Sequence, residues 1–334
     1  MHYMKNEILE ALPLKIRELL RYVTDSRMKD IEEIRFRILK PLLLSLGKRE
    51  YFLNVDGGLD RCIEKAYIVT KDDIENAFQF ITDYSVYTLE EDIRNGFVTM
   101  KGGHRVGICG RVIRNGPYIR TIKDISGLNI RISKEKIGVS DHIMKNLIGP
   151  SHFCHNTLII SPPQCGKTTL LRDIVRNLSN GIPQLKVKGL KVGVVDERSE
   201  ICGCYQGVPQ NDVGMRTDIL DACPKAEGMM MLIRSMSPEV IVTDEIGKKE
   251  DVSAIEEALH AGVKVITTVH GSSFHELLDR PHVSRLLESS VFEKYIILSN
   301  QPKVGTIKEI IDHKKIMQST SNGRGWIHDD QVSG

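Results

Sequence analysis

Thr157-Leu158-Ile159-Ile160-Ser161-Pro162-Pro163-Gln164-Cys165-Gly166-Lys167-Thr168-Thr169 is the stretch whose reading decides the fold. Thr157–Ile160 reads as a buried strand, and a helical run from Leu170 to Leu178 follows and stops near Gly181. A Gly-Lys-Thr between a strand and a helix is the setting in which main-chain N–H groups at a helix N-terminus close around phosphate. Gly166 allows close backbone approach, Lys167 can reach the β- and γ-phosphates, and the Thr168 hydroxyl can ligate Mg²⁺. The expected nucleotide-binding residues are Ser161, Pro162, Pro163, Gln164, Cys165, Gly166, Lys167, Thr168 and Thr169. Ser161 stands where the usual pattern begins with glycine. A small serine can turn the chain there if its φ stays negative, with Pro162 and Pro163 stiffening the loop.

Downstream, Val240-Ile241-Val242-Thr243-Asp244-Glu245 is an apolar strand ending in two acids. Four buried residues followed by carboxylates put the acids at the carboxyl edge of a sheet, beside the phosphates. Asp244 is the expected Mg²⁺ ligand with Thr168, and Glu245 the group that orients and activates water. Between these two motifs in sequence, Val192–Val195 ends in Asp196-Glu197-Arg198. Glu197 can help position water or Mg²⁺, or it belongs to a surface ion-pair cluster with Arg198 and Glu200. Val263–Val269 ends in His270-Gly271, where His270 is either a γ-phosphate sensor or a solvent-facing loop residue.

These strands, with Tyr295–Leu298, alternate with helical stretches, which predicts a parallel sheet covered on both faces. The earlier half differs. A helical run at residues 5 to 22 is interrupted by Pro13, and strand-like pieces follow at Ile31–Ile38, Leu42–Leu46 and Tyr67–Val69. Asp72 and Asp73 cap a helix through Ile81. Phe97–Met100 and Arg105–Gly110 flank a Lys101-Gly102-Gly103 turn, Asn115-Gly116 marks a second turn before Tyr118–Ile122, and Leu128–Ile132 closes the set. The expectation is an α/β chain: an α+β domain with an antiparallel sheet over residues 1–140, a P-loop ATPase domain over 141–312, and a flexible tail over 313–334 in which Trp326 could anchor.

Composition narrows the function. The chain has 46 basic and 44 acidic residues, so it projects no generic field toward nucleic acid or anionic lipid. Aromatic residues at 5% argue against a stacking surface for single strands. Seven cysteines, an odd number with no secretion signal ahead of them, read as free thiols of a reducing cytoplasm. Cys202 and Cys204 have no second pair at zinc spacing. No apolar run reaches the roughly 20 residues that span a bilayer, so membrane association is expected through partners rather than by direct insertion.

Leu232-Ile233-Arg234-Ser235-Met236-Ser237-Pro238-Glu239, the acidic strand, and Leu259-His260-Ala261-Gly262 running into Thr267-Thr268-Val269-His270 resemble the traffic ATPases of type II and type IV secretion and of pilus motors. Closer still, Gly102–Gly107, Ser161–Arg172, Val195–Ile201 and Gly207–Gly214 resemble the stage III sporulation AA family of endospore-forming bacteria, over roughly residues 5 to 310. The resemblance implies a RecA-like core, a smaller N-terminal domain, a homo-hexameric ring, ATP between domain and core, and membrane-protein partners of a secretion-like complex. It matches Glu197 to the family's acidic box and His270 to its histidine box. It also implies phosphate-reaching arginines in the N-terminal domain, for which Arg105, Arg111 and Arg131 are the candidates; as residues alone they could equally be exposed hairpin positions.

The expected function is an ATP-hydrolysing motor, cytoplasmic and peripheral to the membrane, in the mother cell if the sporulation resemblance holds. A nucleic-acid translocase is disfavoured by charge and aromatic content. A non-hydrolysing assembly protein that uses ATP as glue would tolerate Glu245→Gln. Thr70-Lys71-Asp72-Asp73 spells a guanine-reading pattern but precedes the phosphate loop, the wrong order for a GTPase.

Overall fold

Period-two burial builds one sheet and unbroken burial builds another. The computed structural model describes residues 3–85, 89–149 and 153–314; the tail read as loose, Trp326 included, lies outside them from residue 315 onward. The chain forms two compact units, Met1–Lys134 with Gly203–Asn211, and Glu135–Cys202 with Asp212–Gly334.

In the first unit Pro13 divides the expected helix into α1 (Tyr3–Glu10) and α2 (Leu14–Leu20), and α3 (Asp25–Asp30) leads into the sheet. Its strands are β1 (Ile31–Arg37), β2 (Leu43–Leu46), β3 (Arg49–Leu53), β4 (Leu59–Asp60), β5 (Phe97–Met100), β6 (His104–Asn115) and β7 (Tyr118–Arg131), in the antiparallel order β4-β3-β2-β1-β7-β6-β5. Ile34, Phe36, Val106, Ile108, Leu128 and Ile130 are buried in its core, which α4 (Lys71–Ile81) joins through Ile74 and Ala77 and α5 (Glu90–Arg94) through Ile93. Thr70 and Asp73 form a capping box that starts α4.

Two expectations change here. Tyr67–Val69 forms no strand but a single bridge, Ile68 to Pro41, flanked by the Leu42 amide donating to the Tyr67 carbonyl and the Val69 amide donating to the Lys40 carbonyl, each at 2.9 Å. Tyr118–Ile122 and Leu128–Ile132 merge into the single strand β7, whose register with β6 slips around Gly110 instead of breaking. Gly203–Asn211 completes the unit: the Gly102 amide donates to Gln210 Oε1 at 2.9 Å, and a Cβ on Gly103 would stand 3.3 Å from the Gly203 carbonyl.

The second unit holds α6 (Met144–Leu147), β8 (Thr157–Ser161), α7 (Lys167–Asn180), β9 (Val192–Asp196), β10 (Thr217–Asp221), α8 (Lys225–Met236), β11 (Val240–Thr243), α9 (Lys249–His260), β12 (Lys264–His270), α10 (Phe274–Leu278), α11 (Pro281–Glu288), β13 (Lys294–Ser299) and β14 (Thr306–Asp312). The sheet order is β10-β9-β11-β12-β8-β13-β14, parallel except for β14. Every residue of β8, β9 and β11 is buried, so both faces are covered and these strands read as apolar runs. Parallel register brings the carboxyl ends of β8, β12, β11 and β9 side by side: Ser161 pairs with His270, and Thr243 with both Thr267 and Val195. The strand lying between the phosphate-loop strand and the acidic strand in space is therefore β12, with β9 on the far side of β11.

Candidate nucleotide site

The loop leaving β8 is preset for an anion. Ser161, fully buried, ends the strand in extended backbone and needs no glycine conformation. Gln164 (φ 60°) and Gly166 (φ 83°) are left-handed, and Gly166 is the N-cap of α7, where the helix dipole and unpaired N–H groups point outward. A Cβ at Gly166 would make ordinary contacts, 3.4 Å from Val304 and 3.5 Å from Gly305, whose amide donates to the Cys165 carbonyl. Pro163 and Gln164 are exposed, while Thr168 and Thr169 are half-buried in the first turn of α7.

Lys167, buried at the start of α7, turns its ammonium onto Glu245 Oε1 and stands 3.1 Å from His270 Nε2. His270 Nε2 lies 3.1 Å from the same Glu245 oxygen, and Arg198 Nη1 is 3.5 Å from Oε2. Glu245 is held in a left-handed conformation (φ 42°) by its amide donating to Thr268 Oγ1 at 2.9 Å. Burial opposes the Glu245 charge, but the hydrogen bond and charge of Lys167, followed by His270 and Arg198, hold its pKa below the usual carboxylate value. Four residues from four sequence segments thus meet at one point of the sheet edge.

Asp244 follows β11 directly. It is buried, and its Oδ2 has no hydrogen-bond partner among the described residues. Burial, and then the neighbouring Asp196 charge, push its pKa up to about 6. Asp196 is itself spanned by three amides, from Glu200, Ile201 and Cys202 at 2.8 to 3.0 Å, yet burial still raises its pKa. Glu197 faces Lys225, with which it forms a close ion pair. Burial works to raise the Glu197 pKa, and the Lys225 hydrogen bond and charge more than offset it, with smaller help from Lys248 and Arg198.

Lys225 and Arg280 escape a reading by sequence. A lysine after Pro224 at a helix start looks solvated, but Lys225 is only 7% exposed and its partner lies 28 residues away. Arg280 donates to the His270 carbonyl at 2.5 Å and closes, with Pro162, Pro163 and Glu276, a cavity of about 360 Å³ beside the phosphate loop.

The three candidate arginines belong to the first unit. Arg105 on β6 lies 3.6 Å over the Phe97 ring and pairs in register with Arg131 at the end of β7. Arg111 is exposed and pairs with Asp124 at 2.6 Å.

Residues 2–318 match the family described as Sporulation stage III, protein AA. The chain is 44% identical to Stage III sporulation protein AA of Bacillus subtilis (strain 168), over 95% of this chain and 98% of that protein. Among solved structures, the pilus retraction motor PilT with bound ADP superposes with a TM-score of 0.58 at 16% identity, over 93% of this chain and 90% of that one. The Legionella pneumophila ATPase DotB superposes with a TM-score of 0.54 at 16% identity, over 85% and 76%. These likenesses establish the fold: a RecA-like P-loop core with a smaller α+β unit. Among the described residues no helix is long and apolar enough to cross a membrane.

Proposed function

From the premise that the chain belongs to the Sporulation stage III, protein AA family, we propose that it is an ATP-hydrolysing motor of the secretion ATPase type that powers a secretion-like complex during endospore formation. The observation that supports this reading best is the convergence of Lys167 and His270 on Glu245 at the mouth of the phosphate loop.

In this reading the amides from Pro163 to Thr169, apart from proline, cradle the phosphates, and Lys167 binds the β- and γ-oxygens. The Lys167 ammonium is paired with Glu245. The triphosphate, with more charge and more acceptor oxygens, draws the ammonium away and leaves Glu245 free to accept a hydrogen bond from water. The water oxygen bonds to the γ-phosphorus as its proton passes to Glu245. The bond from that phosphorus to the β–γ bridging oxygen breaks, and its electron pair leaves with ADP. His270 then loses or gains a phosphate hydrogen bond and reports the state of the site along β12.

Thr168 and Asp244 would hold Mg²⁺. The Oδ2 of Asp244, buried with no hydrogen-bond partner among the described residues, fits a cation. Bound there, the ion would neutralise charge developing on the phosphates. Glu197, steadied by Lys225, orients water or a water ligand of the ion. Arg105, Arg111 and Arg131 are the arginines that the family resemblance offers for phosphate, and Arg111 pairs with Asp124. The working form is a homo-hexamer in the mother-cell cytoplasm, held at the membrane by membrane-protein partners.

The test is ATP hydrolysis by wild type, Lys167→Ala and Glu245→Gln, with molecular mass by light scattering with and without Mg-ATP. Wild type hydrolyses and assembles, Lys167→Ala does neither, and Glu245→Gln assembles without turning over. Equal hydrolysis by all three would sink the assignment.

A further inference from the structure

The β6–β7 hairpin outruns its sheet. β5 accompanies β6 only to Gly107, and β1 accompanies β7 only to Gly127. Beyond them, among the described residues, residues 111–123 pair with one another, through Arg111↔Lys123, Val112↔Ile122 and Ile113↔Thr121, up to a turn at Gly116 (φ 59°). The ribbon is a lone two-stranded arm anchored at its base, where Ile122 and Ile125 pack on the core.

Its side chains are not those of an idle loop. Val112 is 47% exposed, Ile119 42% and Tyr118 76%, all within one short tip. Interleaved with them are Arg111, Arg114, Arg120 and Lys123, against one acid, Asp124, which is paired with Arg111. Residues 110–124 therefore carry +3, more than the +2 of the whole chain. The protein's positive excess is concentrated in this arm, and the rest of the chain is net negative.

We propose that the arm is a peripheral contact for a membrane surface bearing anionic lipid, with Tyr118, Ile119 and Val112 entering the headgroup layer and Arg114, Arg120 and Lys123 on lipid phosphates. Three features favour this occupant. Long cationic side chains flanking aliphatic ones can lay their stems on apolar surface and keep their charge among phosphates. A tyrosine at an exposed tip has the amphipathic form that suits the boundary between water and acyl chains. Residues 114–120 are all exposed, so the whole tip is open to a broad, soft surface. Nucleic acid phosphates would meet the same cations but leave Val112 and Ile119 in water. The contact is interfacial, requires no spanning segment, and stands independently of the nucleotide site.

The test is co-sedimentation of the full chain with vesicles of phosphatidylcholine alone and of phosphatidylcholine mixed with phosphatidylglycerol. Wild type should sediment with the mixed vesicles only, and less as salt is raised. Arg114→Glu/Arg120→Glu should weaken partition by about 25-fold or more, about fivefold for each arginine lost. Tyr118→Ser/Ile119→Ser should weaken it by about tenfold at unchanged charge. Unchanged thermal unfolding and lipid-free ATPase rate in both variants would show an intact fold. Wild type that binds neither vesicle, or both equally, or variants that bind as wild type does, would overturn the proposal. So would variants that lose affinity for single-stranded DNA, or change oligomeric state, while lipid binding is untouched.

Discussion

Lys167 and Glu245, 78 residues apart in the chain, are joined by an ion pair at the mouth of the phosphate loop, and His270 stands 3.1 Å from the same carboxylate oxygen. On the proposed reading, Lys167 is the cation that takes phosphate and Glu245 the carboxylate that takes water, and here they pair with each other. Removing either partner should therefore act on different steps. Lys167→Ala should weaken binding of a fluorescent ATP analogue by at least about tenfold. Glu245→Gln should leave that affinity unchanged or tighter, because Lys167 is released, while kcat falls by roughly 10²–10⁴-fold.

Lys225 sits buried on Glu197. Lys225→Met should let burial raise the Glu197 pKa, so the acid limb of the kcat profile moves to higher pH. Lys225→Arg should restore most of the wild-type profile. A rate loss that is the same at every pH would assign Lys225 to packing alone.

Burial and the neighbouring Asp196 charge disfavour the ionised form of Asp244. Its folded pKa, about 6, lies above the unfolded value, so its contribution to stability is present at low pH and lost as pH rises through about 6. At pH 7.5 the cost is at its full value. Asp244→Asn should then melt higher than wild type without nucleotide, and should lose the further rise that wild type gains from Mg-ATP.

His104 supplies a pH response in the first unit. It is fully buried, its Nδ1 accepts the Ser133 amide at 3.1 Å, and burial lowers its pKa to about 4. The folded state thus resists a proton that the unfolded chain takes up near pH 6.5. Stability is whole above that pH and declines as pH falls toward about 4, by up to about 3 kcal/mol. Urea unfolding across this range should show the decline in wild type and a flatter response in His104→Asn, whose Oδ1 can accept the same amide.

What could be read without coordinates followed periodicity. β8, β9, β11, β12 and β13 are buried apolar runs, and each lies within about a residue or two of its expected span. β10 and β14 are edge strands, half-exposed and charged (Thr217-Asp218-Ile219-Leu220-Asp221, Thr306-Ile307-Lys308-Glu309-Ile310-Ile311-Asp312), so they carry no such signal. The positions of Asp244, Glu245 and Lys167 can be read from sequence because each follows directly on an apolar strand or its turn. Lys225 escapes such a reading because its partner, Glu197, lies 28 residues away and is brought near by the fold; Arg280 escapes it because its bond to the His270 carbonyl depends on how the chain turns after β12.

Gly203–Asn211 also bears on how the protein can be dissected. Because this excursion is woven into the first unit, a fragment ending at residue 134 would expose the Gly102 amide that Gln210 now accepts and strip the Gly103 turn of its cover. A core fragment beginning at residue 135 would in turn trail nine residues bereft of their host. Neither half is a clean cut, and biochemical comparison of the two is better done by point substitution in the intact polypeptide than by scissors.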